Sequence, residues 1–183
     1  MVLPKLMVIG YARHGKDTAC EMLRDMFGFQ FMSSSLFCLE KAVRPRLLRE
    51  GYGYESNEEC QNRREEVPDW RRLWFEAIRD YNTPDPTRLG RELYSQYDIY
   101  CGIRRLEEFE ALRQQGVFDF SIWIDASRRL PPEAQSSNTL TPDLTDYVVN
   151  NNGSLNDLRR RLRFLMYGIL ALDTLKPPRT GFW

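Results

Sequence analysis

The segment KLMVIGYARHGKDTACEMLRDMF, residues 5 to 27, constrains the fold more than any other part of the chain. A short apolar run ends at Gly10, four residues separate Gly10 from Gly15, Lys16 follows at once, and Ala19, Met22, Leu23 and Met26 then recur at helical spacing. The pattern predicts a buried strand, a tight loop and an amphipathic helix in immediate succession. A G-x-x-x-x-G-K loop in that setting turns backbone N–H groups and the positive end of a helix toward an anion, and its lysine neutralises charge on β- and γ-phosphates. The phosphate-binding set expected from it is Gly10, Ala12, Arg13, His14, Gly15, Lys16, Asp17 and Thr18. Lys16 is also the first candidate catalytic residue. Arg13 and His14 read equally as exposed loop residues, and a lone histidine here is no evidence of acid–base work.

Asp17 stands where such a loop usually carries Ser or Thr. A carboxylate is a hard oxygen ligand, so Asp17 is the candidate magnesium ligand. As an acid in a first helical turn it would also be stabilised by the helix dipole. Thr18 supplies a hydroxyl one place later, suited to an α-phosphate.

Further apolar segments at 27–33, 98–103, 118–125 and 146–151 read as strands. Helical patterns follow at 69–82, at 105–116 and from Ser154 onward, where Ser154 can cap and Asp157 suits the dipole. Strands alternating with helices predict a three-layer α/β domain with a mostly parallel sheet, whose ligands gather at the carboxyl ends of the strands. Loops are expected at 49–59 and 127–143, the second placed as a lid because it leaves a strand end.

Three strand ends carry further candidates. Arg104 follows the 98–103 strand and is placed to grip a phosphate or to pair with an acid at the sheet edge. Asp125 ends the 118–125 strand, either orienting an acceptor hydroxyl or a magnesium-bound water or closing a turn; Arg128 beyond it is a candidate for closing over the transferred phosphoryl group. Asn151, in the turn YVVNNNG, is the candidate for contacting the nucleotide base, and turn chemistry explains it equally.

The loop GYARHGKDT and the strand–helix series after it resemble the nucleotide-kinase branch of the P-loop NTPases, in particular small bacteriophage kinases of the deoxynucleoside monophosphate kinase type, whose loop also ends G-K-D-T. The resemblance implies a single P-loop kinase domain over 1–183, ATP as phosphate donor and magnesium as cofactor. In those kinases the stretch before Arg104 commonly reads Asp-Val-Arg; here Gly102 stands in place of the acid. Two acceptors fit. One is the hydroxymethyl group of 5-hydroxymethyl-2'-deoxyuridine in phage DNA, favoured by the missing acid and by a chain with little room for a monophosphate-binding insertion. The other is a free deoxynucleoside monophosphate. A P-loop ATPase switch is the rival of another class.

Composition bounds these readings. Hydrophobic residues make up 42% and charged residues 28% of 183, which is globular. Lys plus Arg equal Asp plus Glu at 26 each, so net charge points to no nucleic acid, although RRRLRFLMY and DWRRLWFEAIRDYN interleave basic and aromatic residues. Such helices more often bury their aromatics. The four cysteines form no CxxC pair, and the longest apolar run, 164–172, is far short of a bilayer span. A protein in the bacterial host cytoplasm, without membrane attachment and possible as a homodimer, is expected.

Overall fold

A computed structural model of the chain describes residues 3–53, 56–66, 68–133 and 138–174. Its centre is a sheet of β1 (Leu6–Ile9), β2 (Phe31–Ser33), β3 (Ile99–Cys101), β4 (Phe120–Asp125) and β5 (Tyr147–Asn150) in the order β2-β3-β1-β4-β5. Every pairing is parallel; Leu6 stands opposite Ile99 on one side and Phe120 on the other. Parallel neighbours require crossovers, and helices supply them on both faces.

Strand β1 shows how four residues serve two cores. Leu6 and Val8 pack into one cluster with Ala19 and Leu23 of α1 (Lys16–Phe27) and Leu158, Leu162 and Met166 of α8 (Leu155–Thr174). Met7 and Ile9 face the other way, toward Phe37 of α2 (Ser34–Cys38), Leu89 and Leu93 of α6 (Arg88–Tyr94), and Phe109 and Leu112 of α7 (Leu106–Gln114). All four β1 side chains are buried. At roughly 1.5–3 kcal/mol for each large aliphatic side chain, this short strand anchors both layers.

The expected strands and the four expected helices are present with shifted ends. β2 begins at Phe31 rather than residue 27, because Gly28 adopts a left-handed φ of 80° and its N–H closes α1 on the Arg24 carbonyl at 2.8 Å. At the start of α8 the Ser154 Oγ accepts the Asp157 N–H at 3.2 Å, and Asp157 Oδ2 accepts the Ser154 N–H at 3.1 Å, a reciprocal cap.

Between β2 and β3 lies a helical insertion of which only the 69–82 helix is anticipated by the sequence. It comprises α2, a π-helical turn (Leu39–Val43), α3 (Arg44–Arg49), α4 (Asn57–Glu66), α5 (Pro68–Tyr81) and α6. The loop expected at 49–59 thus gives way to helix from Asn57. Leu39, Val43, Leu47, Cys60, Trp70, Leu73, Trp74 and Ala77 form a third core within it. Arg46 ties α3 to α5 by donating to Glu76 at 3.1 Å and Asp80 at 2.6 Å. The expectation that the chain has little room for an insertion is therefore corrected.

The basic–aromatic helices divide. Trp70 and Trp74 of α5 are core, as amphipathic packing predicts, whereas Phe164 of α8 is 84% exposed, with Tyr167, Arg159 and Arg163 exposed near it. No described helix is long and apolar enough to cross a membrane.

Candidate functional site

The loop from Gly10 to Lys16 joins the carboxyl end of β1 to α1, at the centre of the sheet. Its shape departs from ordinary backbone: Arg13 has a φ of 61° and Gly15 a φ of 90°. A Cβ on Gly15 would lie 2.5 Å from Asn151 Nδ2, so the position excludes any side chain. The Lys16 ammonium donates to the Tyr11 carbonyl at 2.8 Å, which folds the side chain back along the loop. Burial holds its pKa below the usual 10.5, and nearby Arg104 lowers it further, against the opposing pull of Asp17 and Glu133.

His14 is not an exposed loop residue. It is fully buried; its Nδ1 accepts the Ala126 N–H at 3.1 Å and its ring meets Tyr11 edge-on at 5.4 Å. An accepting Nδ1 carries no proton, so Nε2 bears it, and Nε2 finds no partner among the described residues. The imidazole pins the loop to the end of β4 and is closed off from solvent. Its neighbour Arg13 is exposed.

Asn151 is a second brace. Its side chain is 5% exposed and donates from Nδ2 to the His14 carbonyl at 2.9 Å, while its N–H donates to the Asp125 carbonyl at 2.6 Å. Asn151, the residue expected to contact a nucleotide base, here commits its amide to the loop. Arg129 donates to the Asn151 carbonyl through Nε at 3.0 Å. Arg128 has an exposed side chain, and its N–H donates to Asn152 Oδ1 at 2.9 Å.

Asp125 takes the turn-closing role. Its carboxylate accepts the Ser127 N–H and hydroxyl at 3.1 Å each and the Asn152 amide at 3.1 Å. Burial pushes its pKa up, but these donors more than reverse it and hold it below the usual 3.8. An acid so stabilised as its anion is a poor proton acceptor.

Across the loop, β3 ends in Cys101 and Gly102. Gly102 has a φ of 100°, and a Cβ there would come within 3.0 Å of Ser34 Oγ and 3.9 Å of Lys16 Cε. The absence of a side chain at Gly102 thus lets the lysine and the first residue of the insertion approach the strand end. Asp17 is exposed in the first turn of α1, and its Oδ1 accepts the Cys101 thiol at 3.6 Å. Thr18 beside it is half-buried. An exposed carboxylate at this helix start fits magnesium, which is held by one or two carboxylates together with substrate phosphates. Among the described residues no group of three acidic, histidine or cysteine side chains forms a protein-only metal cage.

Arg104 meets a partner the sequence did not disclose. Its Nη1 donates to Glu133 Oε1 in an ion pair, and Glu133 Oε2 accepts the Ala12 N–H of the loop at 2.7 Å. Burial pushes Glu133 up, yet Arg104, the Ala12 amide and Lys16 together hold it below the usual 4.5. Glu133 is the sole acid between Asp125 and Asp143, which was its only signal in the sequence. Residues 134–137 of the expected lid lie outside the described residues. Arg105 turns the other way, its guanidinium 4.5 Å from the ring centre of Phe75 on α5, so the insertion also rests on this strand end.

An all-parallel sheet with helices on both faces, and a G-x-x-x-x-G-K loop running from its central strand into a helix, define the α/β P-loop fold. No family model matches the chain, and no curated protein matches it. Solved structures similar to it include a shikimate kinase from Aquifex aeolicus, at 14% identity over 91% of this chain and 98% of that one, with a TM-score of 0.46. A gluconokinase from Sinorhizobium meliloti is similar at 15% identity over 92% and 97%, with a TM-score of 0.47. A shikimate kinase from Acinetobacter baumannii in complex with shikimate matches at 16% identity over 96% and 97%, with a TM-score of 0.48.

Proposed function

We propose that this chain is an ATP-dependent phosphotransferase acting on a nucleotide. The observation that carries the reading is the convergence of Lys16, Arg104 and Ser34 at the mouth of the loop, between the central strand end and the helical insertion. Loop amides and the α1 terminus would bind the donor phosphates, and the Lys16 and Arg104 cations would offset charge that grows as the phosphoryl group moves. Asp17 would hold magnesium, which supplies further neutralisation of phosphate charge. Asn151 and His14 keep the loop in shape. Asp125, fixed in its turn, orients neighbouring backbone rather than moving a proton.

For the acceptor, the insertion favours a free deoxynucleoside monophosphate. It starts at Ser34, beside Gly102 and Lys16, and rests on Arg105 through Phe75. A small acceptor held between α5 and the strand ends would have its phosphate within the field of Arg104. The hydroxymethyl group of 5-hydroxymethyluracil in DNA is the second reading. What favours it is the exposed face of α8, where Arg159, Arg163, Phe164 and Tyr167 offer cations and rings to a nucleic-acid strand.

The test is transfer of label from γ-phosphate-labelled ATP. The first reading expects label in deoxynucleoside diphosphates formed from free monophosphates and none in hydroxymethyluracil DNA. Label in that DNA and not in thymine DNA selects the second. With Lys16→Ala, transfer to either should fall roughly a thousandfold or more, as loss of a charge-stabilising group requires. Activity within a few-fold of the parent would remove the phosphate-loop reading.

A further inference from the structure

The Glu133 carboxylate occupies the ground of a phosphate. One of its oxygens accepts a loop amide, Ala12 N–H, at 2.7 Å; the other accepts the Arg104 guanidinium; Lys16 lies within its field. A backbone amide of the loop, a strand-end arginine and the loop lysine are the donors that bind phosphoryl oxygens in such a site. The Glu133 side chain is only 16% exposed, so it is inserted into the site rather than lying over its rim. It arrives from the segment that follows β4, 121 residues from its amide partner in sequence.

From this geometry we infer that Glu133 stands in for an outer phosphate of the nucleotide and selects among nucleotides by phosphate number. The inference rests on the proposed reading of the loop as a nucleotide site. Two anions cannot share the Ala12 amide and the Arg104 fork, so a ligand whose chain of phosphates reaches them has to displace Glu133. Lys16 marks the β/γ end of the phosphate chain and Thr18, in the first turn of α1, the α end. Displacement therefore falls on a triphosphate and spares a monophosphate. While the carboxylate is seated, the same contact satisfies the loop amide and neutralises Arg104, which keeps the empty site from holding stray anions. The competition lowers apparent triphosphate affinity by the fraction of molecules in which Glu133 is seated.

Equilibrium binding by titration calorimetry tests this with two probes, the β,γ-imido analogue of ATP and AMP, on the parent and on Glu133→Gln. The amide keeps the shape and one acceptor but loses the charge. The imido analogue should bind the variant about three- to thirtyfold more tightly, the lower figure reflecting the half-exposed Arg104 partner, while AMP affinity stays the same. Glu133→Asp, which keeps the charge but shortens the reach by one methylene, should shift in the same direction. Unchanged or weaker binding of the imido analogue by Glu133→Gln would overturn the inference and leave the nucleotide site standing. If neither protein binds the imido analogue, the nucleotide reading itself fails, and the inference with it.

Discussion

Replacing Asn151 with alanine separates two roles that the same residue could hold. In the structure its amide donates to the buried His14 carbonyl at 2.9 Å, and Gly15 is packed so closely that an added Cβ would sit 2.5 Å from Nδ2. Asn151→Ala leaves that carbonyl without its donor and opens a small void against the loop. An unmade hydrogen bond to a buried group costs about 1–3 kcal/mol. For a chain of this length each kcal/mol moves the melting temperature by about 2–4 °C, so a fall of roughly 2–12 °C is expected by calorimetry or circular dichroism. Because the loop loses a brace, ATP and GTP should both bind more weakly and by similar factors. The reasoning is refuted if the melting temperature stays within about 1 °C of the parent while the preference for ATP over GTP changes; Asn151 would then be reading the base.

Glu108 provides a pH signature independent of the site. Buried on α7, it accepts the Tyr100 hydroxyl at 2.9 Å, and burial raises its pKa from 4.5 to about 7 against that hydrogen bond. The folded state therefore holds the proton more tightly than the unfolded chain, and this group's contribution is fully present below about pH 4.5 and lost as pH rises to 7, to an extent of about 3 kcal/mol. In Glu108→Gln, urea melts at pH 5 and pH 8 should lack that part of the decline; an equal decline in both proteins counts against it. Asp17→Asn should raise the magnesium concentration for half-maximal transfer sharply, with nucleotide binding in metal-free buffer little changed, and an unaltered magnesium requirement would return Asp17 to the role of a helix-start acid.

What could be read from the sequence was local. β1, the loop and α1 were legible because an apolar run, two glycines and a helical stripe lie within 23 consecutive residues, 5 to 27. β3 and β4 followed from short apolar runs, since strands buried on both faces need no alternation, and β5, at the sheet edge with Val148 exposed, from the run at 146–151. Of the insertion only the amphipathic α5 was legible, and the rest was not for a physical reason: α4 is polar nearly throughout, with Cys60 its one buried contribution to the third core among the described residues, and α3 carries Pro45 at its start. At the site, residue type was legible and partnership was not. Arg104 was expected to meet an anion, but nothing near it in sequence names Glu133; His14 looked exposed because the amide that buries it, Ala126 N–H, is 112 residues away. The same distance effect hid the bracing of the loop by Asn151, 137 residues from the carbonyl it meets.

The bracing of the loop by distant chain has a consequence for the order of synthesis. The phosphate loop leaves the ribosome well before the segments that fasten it: its partner Ala126 follows 112 residues later and its partner Asn151 137 residues later. A nascent chain that ends before β5 therefore displays the whole G-x-x-x-x-G-K motif while lacking the Asn151 brace on the His14 carbonyl. The motif is translated before its braces and fastened after them, so the growing polypeptide completes its binding site only when the fifth strand has joined the sheet.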